Sequence, residues 1–286
     1  MKPTPERKPA LYDSNAYYAA DGAASRLSPI FNPLFLFFDW LRVFGLLRVM
    51  KVKLGNALDV GAGDGKFLYF LKKRGFNVYG TTLSQTSQQA ARQRFGVELQ
   101  FADGLTGELS SRRYCLITYW HVFEHLSDPE SHLAAWPALL DEDGVVVLEV
   151  PDPRALGASL CFDAWLGSDV LHHIHLVSEQ DILSAARGRG FVCARIERFS
   201  LKFSYVFLWS GWLGRIFGST YRFDGILDAL KSPARTLRSR PGYASNLFAS
   251  VLYLAPLVLI SLLAGLWLKR GEVVRIYLKR GPAVDL

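Results

Sequence analysis

The chain has 286 residues, which is long for one domain and short for two large ones, and half of them are hydrophobic, enough for a sizeable core. Its net charge of +7 and pI near 9.3 suit a nucleic acid, a membrane surface or an anionic ligand, so the placement of the basic residues has to decide among them. Cys115, Cys161 and Cys193 are widely spaced with no CxxC, which argues against a disulfide framework or a structural zinc site. The polar, proline-rich start MKPTPERKPA has no signal-peptide core, so the main domain is expected on the cytoplasmic side.

Residues 1–28 read as a loosely ordered lead-in. PIFNPLFLFFDWLRVFGLLRVM, residues 29–50, follows, with Asp39, Arg42, Gly45 and Arg48 recurring every third position as a narrow polar stripe on a helix. Such a helix either packs on the domain core or dips into a membrane face. From Asn56 the pattern alternates. ALDV, NVYGTTL, VELQFADG, YCLITYWH and VVVLEVPDP read as strands one to five. KFLYFLKKRG, closed by Gly75, and QTSQQAARQRFG read as the helices among them. SDPESHLAAWPALLDEDG is a helix capped by Ser127 or Asp128, with Pro129 in its first turn. A helix opened by Ser178, a sixth strand FVCARIERFS and a last strand EVVRIYLKR complete the series. This alternation predicts βαβ units and a parallel sheet covered on both faces.

The glycine-rich run Leu58-Asp59-Val60-Gly61-Ala62-Gly63-Asp64-Gly65 falls at the first strand-to-helix turn, where a missing Cβ lets a ligand approach the backbone. Its third glycine comes one residue too early for a dinucleotide fingerprint. Asp59 would repel a pyrophosphate but suits a positively charged ligand.

LDVGAGDG resembles the first motif of class I S-adenosylmethionine-dependent methyltransferases. FADG resembles that family's adenine-contact segment. YWHVFEHLSDP followed by LLDEDGVVVLEVPDP is similar to a subgroup reading "xHxxEHxxDP…LxxGGxxxxxxP". FDAWLGSDVLHHIHLVSEQDILSAARGRGF resembles that subgroup's later stretch, and together the likeness covers residues 56–200 and the last strand. The resemblance implies a Rossmann-like seven-stranded α/β sheet with an antiparallel last strand. It also implies S-adenosylmethionine as cofactor, held by Asp59, Gly61, Ala62, Gly63, Asp64, Thr82, Leu83, Asp103, Gly104 and His121. Thr82 stands where most members carry a ribose-binding acid. GTTLS there is similar to cyclopropane-fatty-acid synthases.

On the acceptor side, His121, Glu124 and His125 are the candidates for positioning the acceptor and removing its proton, with packing of the following loop as the alternative role for Glu124 and His125. Their spacing is similar to the cluster of metal-assisted quinone O-methyltransferases, but its first acid is missing, and no metal is expected. His173, in His172-His173-Ile174-His175, stands at the subgroup's histidine and is the further substrate-side candidate; the run does not make a zinc site alone.

Residues 247–268, LFASVLYLAPLVLISLLAGLWL, carry no charge and reach roughly 33 Å as a helix, near the ~30 Å hydrocarbon core. If EVVRIYLKR returns to the same sheet, a single crossing is excluded. A monotopic attachment bent at Pro256, beside the aromatic stretch Phe203 to Phe217, is favoured. Lys231, Arg235, Arg238 and Arg240 precede the run, and Lys269, Arg270, Arg275, Lys279 and Arg280 follow it, which favours an anionic membrane leaflet over nucleic acid.

The chain is thus expected to comprise a lead-in and helix (1–50), a catalytic domain (51–200 with 271–286) and a membrane-associating insertion (201–270). The expected activity is methyl transfer at the membrane to a lipid or lipid-linked acceptor: a quinone precursor, an isoprenoid-linked sugar or a phospholipid. Cyclopropane-synthase-like modification of acyl chains and a non-catalytic membrane-bound binding protein are the alternatives.

Overall fold

The computed structural model describes residues 32–51, 53–161, 164, 165, 167, 177–200, 204–218, 236, 238–250 and 254–281. The lead-in 1–28, His172, His173, His175, Lys231 and Arg235 lie outside these residues.

Seven strands form one sheet: β1 (Asn56–Val60), β2 (Asn77–Thr82), β3 (Gln100–Phe101), β4 (Tyr114–Trp120), β5 (Leu140–Pro151), β6 (Phe191–Glu197) and β7 (Val273–Arg280), in the order β3-β2-β1-β4-β5-β7-β6. Pairing is parallel from β3 through β5, and β7 runs antiparallel to both β5 and β6. β6 therefore points the same way as β5, and its carboxyl end lies on the same edge of the sheet as the Gly61–Gly65 loop. The strand order reverses between β1 and β4, which opens a crevice at that edge.

Alternate side chains feed two cores, as a pleated strand requires. Leu58, Val60, Ile117, Tyr119, Val146 and Leu148 pack on one face against α4 (Pro129–Leu139) and α6 (Glu179–Arg187). Ala57, Leu116, Val145 and Val147 pack on the other against α1 (Asn32–Met50), α2 (Lys66–Lys73) and the end of α3 (Gln85–Ala90). The helix ends follow local chemistry. Asp128, not Ser127, caps α4 by accepting from Ser131 N–H at 3.2 Å. Ser178 and Asp181 form a capping box on α6. Gly75, at φ 92°, closes α2. β5 begins at Leu140, earlier than its apolar run suggests. The Arg280 guanidinium explains the abrupt switch, because it donates to the carbonyls of Pro137 and Leu140 that the ending α4 leaves open.

α1 packs on the core through Val43, Leu46 and Met50; of its polar stripe, Asp39 is buried and Arg42 nearly so, whereas Arg48 is exposed. Its outer side is a stacked aromatic ladder, Phe37–Trp40 at 5.9 Å and Trp40–Phe44 at 5.6 Å between ring centroids. Each of these three rings is exposed.

Between β6 and β7 the chain leaves the carboxyl edge and returns to it. This excursion carries α7 (Ser204–Phe217), α8 (Pro241–Ser250) and α9 (Leu254–Leu266), with α7 packed against both α9 and α5 (Leu156–Cys161). A separate apolar cluster of Cys161, Trp165, Phe207, Leu208, Leu213, Leu257 and Val273 holds it. Buried Glu272 pins its end, accepting from Gly157 N–H at 2.8 Å and Trp165 Nε1–H at 2.7 Å.

Of the uncharged run 247–268, residues 247–250 belong to α8 and 254–266 to α9, and residues 251–253 lie outside the described residues. Pro256 lies within α9. Thirteen residues of α9 span about 20 Å. Among the described residues no helix is long and apolar enough to cross a membrane. α9 faces inward with Leu257, Ser261, Ala264 and Gly265, and outward with Leu259, Ile260, Leu263 and Leu266, continued by Trp267 at 80% exposure.

Candidate functional site

The site is assembled at the carboxyl edge from the ends of β1 to β5. Gly61, Gly63 and Gly65 all have positive φ, from 52° to 77°, so the turn between β1 and α2 follows a path that L-residues rarely take. Val122 packs where a Cβ on Gly61 would sit. A Cβ on Gly63 would meet nothing within 4 Å and would project into open space, so that glycine leaves a cradle rather than filling one. The loop is tied down from β2: Gly61 N–H donates to Thr81 Oγ1 at 3.1 Å and Ala62 N–H to Thr81 O at 2.7 Å.

Asp59 lies beneath this loop, 2% exposed, and accepts a 2.6 Å hydrogen bond from Thr118 Oγ1. Burial pushes its carboxyl up to about 7, against the Thr118 hydrogen bond and the Arg42 guanidinium, which pull it down. A carboxyl poised at neutral pH is well suited to ionise when a cation arrives.

The remaining cofactor-side candidates reach the same edge with different local roles. Asp64 turns back to Lys66 at 2.8 Å and Arg94 at 3.8 Å, so its charge is spent within the loop region. Buried Thr82 accepts from Ser84 N–H at 3.2 Å, and Leu83 is half-buried beside it. Asp103 is exposed just past β3, with Gly104 half-buried after it; the Ser127 hydroxyl donates to its carboxylate at 3.0 Å.

His121, Glu124 and His125 follow β4 as expected. Glu124 is buried at the start of a short 3-10 turn, whereas His125 is half-buried and its backbone closes that turn onto Val122. His121 sits in the left-handed region at φ 54°, an uncommon place for a residue with a side chain. Its ring lies between two carboxylates, with Nδ1 3.5 Å from Glu124 and Nε2 3.2 Å from Glu149. Burial disfavours charge on this ring, but the two carboxylates outweigh burial and raise its pKa. Phe207 of α7 faces it at 5.6 Å between ring centroids, so the excursion after β6 roofs this side of the crevice.

Glu149, Arg275 and Arg42 complete the arrangement. Glu149 is fully buried in β5 and accepts from Arg275 Nε and Nη2 at 2.8 and 2.5 Å, while Arg42 of α1 lies 4.0 Å away. Burial alone would raise the Glu149 carboxyl; Arg275, His121 and Arg42 instead hold it well below the usual carboxylate range. Arg42 and Arg275 also flank the Trp120 ring, at 4.5 and 5.2 Å from its centroid. These three residues were outside the expected site. The available signal was a charge inside each of two apolar strands, VVVLEVP and EVVRIYL, in a sheet read as buried on both faces.

Among the described residues no group of three His, Cys, Asp or Glu side chains is placed to hold a metal ion. His173 lies outside the described residues.

The family described as "Methyltransferase domain" matches residues 32–196. No curated protein matches the sequence. Among solved structures, one named as a candidate sarcosine dimethylglycine methyltransferase from Galdieria sulphuraria is 14% identical with a TM-score of 0.52, covering 86% of this chain and 85% of that one. The plantazolicin methyltransferase BpumL in complex with SAH is 10% identical with a TM-score of 0.51, covering 96% and 93%. The [4+2]-cyclase SpnF is 14% identical with a TM-score of 0.51, covering 85% and 81%. At these identities the likeness is one of fold, and a cyclase among the neighbours is a reminder that chemistry resides in the site.

Proposed function

The chain belongs to the methyltransferase-domain family, and on that premise we propose that it transfers a methyl group from S-adenosylmethionine to a lipid or lipid-linked acceptor at a membrane surface. The observation that carries the cofactor reading is the cradle at Gly63, open above a buried, neutral-poised Asp59. That acid suits a ligand bearing ammonium and sulfonium charges and no phosphate. BpumL, with the same fold, was crystallised with SAH. S-adenosylmethionine supplies an electrophilic methyl group on sulfur. Asp59 binds its positive charge from below, the loop orients it, and Thr82, Leu83 and Asp103 border it along the edge. His121 and Glu124 face the acceptor side under Phe207, where excluding water strengthens every charge interaction.

The membrane part of the proposal rests on the excursion after β6. α9 buries mostly small residues besides Leu257 and exposes several large ones, with Trp267 and Lys269 exposed at its end and Arg215 exposed on α7. The aromatic ladder of α1 is a second surface of the same character. In this reading the catalytic sheet lies on the cytoplasmic side of an anionic leaflet, and the contact of Phe207 of α7 with His121 supports an acceptor presented from the membrane side.

The test is transfer of radiolabelled methyl from S-adenosylmethionine by the protein in its host membranes, followed by organic extraction. Label in the organic phase that disappears in Asp59→Ala is the expected result. Label confined to the aqueous or protein fraction would overturn the lipid acceptor.

A further inference from the structure

We propose that Glu149 is a positioning residue for the acceptor side, held by Arg275 of β7 with Arg42 of α1 nearby, and that it positions His121 at the head of β4. The inference rests on reading His121 as acceptor-facing and goes beyond it by naming what holds that ring.

One residue holds His121 at both ends. Its backbone N–H donates to the Glu149 carbonyl at 2.8 Å, which secures the left-handed turn, and its Nε2 lies at ionic distance, 3.2 Å, from the Glu149 carboxylate. A non-glycine residue in that region persists only where its surroundings over-determine it, and such residues concentrate at functional sites. Glu149 is held by two hydrogen bonds from Arg275 to Oε2, while Oε1 faces the His121 ring at 3.2 Å and Arg42 at 4.0 Å as ionic contacts. Arg275 is secured in turn by Glu197 of β6 at 3.0 Å. Tyr277 donates to that same Glu197 at 3.0 Å.

Packing gives no reason for this arrangement. Buried ion pairs seldom stabilise more than apolar residues of the same volume, and here several charges share one end of the sheet. The groups facing His121 are Glu124 from its own turn, Glu149 from β5 with Arg275 behind it, Arg42 and Asp39 from α1, and apolar Phe207 from α7. A carboxylate beside each nitrogen favours the protonated ring. A protonated ring would present positive charge beside the acceptor rather than a free lone pair. Because Arg42 belongs to α1, this charge also depends on the seating of the helix that exposes the aromatic ladder.

The experiment is a pH titration of the His121 ring by NMR on the full-length protein with labelled histidine, assigned by its loss in His121→Gln. Glu149→Gln removes one of the two carboxylates, so the ring should titrate lower by at least about one pH unit. Arg42→Gln frees Glu149 from a cation, so the ring should titrate higher. Opposite shifts are not expected of two changes that merely loosen the fold, and Glu149→Asp should restore part of the first. If Glu149→Gln does not fold, the Arg42→Gln shift decides alone. In the membrane transfer assay Glu149→Gln should change kcat or acceptor KM at least tenfold while its affinity for S-adenosylmethionine stays within twofold. A His121 titration unmoved in either folded variant would overturn the proposal. Absence of S-adenosylmethionine binding in the unmodified protein would instead overturn the cofactor reading.

Discussion

The two halves of the crevice are built by different physics. On the β1–β2 side, residues close together in sequence do the work: a glycine turn, a strand-end threonine tying it down, and an acid buried beneath it. On the β4–β5–β7 side, the decisive contacts join residues far apart, as Glu149 and Arg275 do across 126 positions. The first half is shaped by backbone geometry and left open for a ligand. The second is closed by charges that neutralise one another and is roofed by α7. Shape can be supplied by local turns, whereas a defined charge beside an acceptor has to be braced from several strands.

The largest effect that would break this contrast is loss of the brace. Arg275→Met leaves Glu149 buried without its main counter-charge, and stability should fall by about 3–5 kcal/mol, read from the denaturant midpoint. An unchanged midpoint would mean that the charges on this side are dispensable.

Next comes the acid of the open half. The folded-state pKa of Asp59, about 7, lies above its unfolded value, so the folded protein binds more protons between roughly pH 4 and 7. Stability should therefore decline as pH rises through that window, by up to about 3 kcal/mol from this group. Glu272, also pushed up to about 7 by burial, adds to the same slope. Urea midpoints at pH 5 and pH 8 should show a smaller decline in Asp59→Asn than in the unmodified protein; equal declines would remove Asp59 as the source. The same ionisation should make S-adenosylmethionine bind about tenfold tighter at pH 8 than at pH 6.

The smallest expected effect on folding, with the sharpest effect on location, concerns the outside of the roof. Leu263 and Leu266 are exposed on α9, so replacing both with glutamate should change stability by less than about 0.5 kcal/mol each. The double variant should nevertheless lose flotation with anionic vesicles. Retained flotation would remove α9 as the membrane contact.

Much of the open half was legible in the sequence. Asp59 and the glycine turn carry their geometry in adjacent letters, and strand alternation placed β1 to β7 with the excursion between β6 and β7. The antiparallel β7 came from the family resemblance rather than from periodicity. Less legible was what each polar group contacts. The spacing placed Asp64 among the cofactor residues, but Lys66 at the start of α2 and Arg94 in the turn after α3 neutralise it. The stripe of Asp39 and Arg42 reads as the wet side of a helix, yet it is the buried side, because Arg42 has Glu149 to meet. Glu149 and Arg275 are each anomalous within an apolar strand, but their pairing depends on β7 lying beside β5, which the order of elements does not reveal. The uncharged run 247–268 was legible as unusual, but which of its large apolar groups turn outward was not.

The most direct test of the cofactor site is a calorimetric titration of S-adenosylmethionine into the purified protein and into Gly63→Asn. Asparagine tolerates the left-handed backbone at this position, and its side chain would enter space that holds no protein atom within 4 Å. Micromolar one-to-one binding that weakens at least tenfold in the variant, with unchanged thermal unfolding, is the expected result. Equal affinity in the two proteins would contradict a cofactor seated against Gly63.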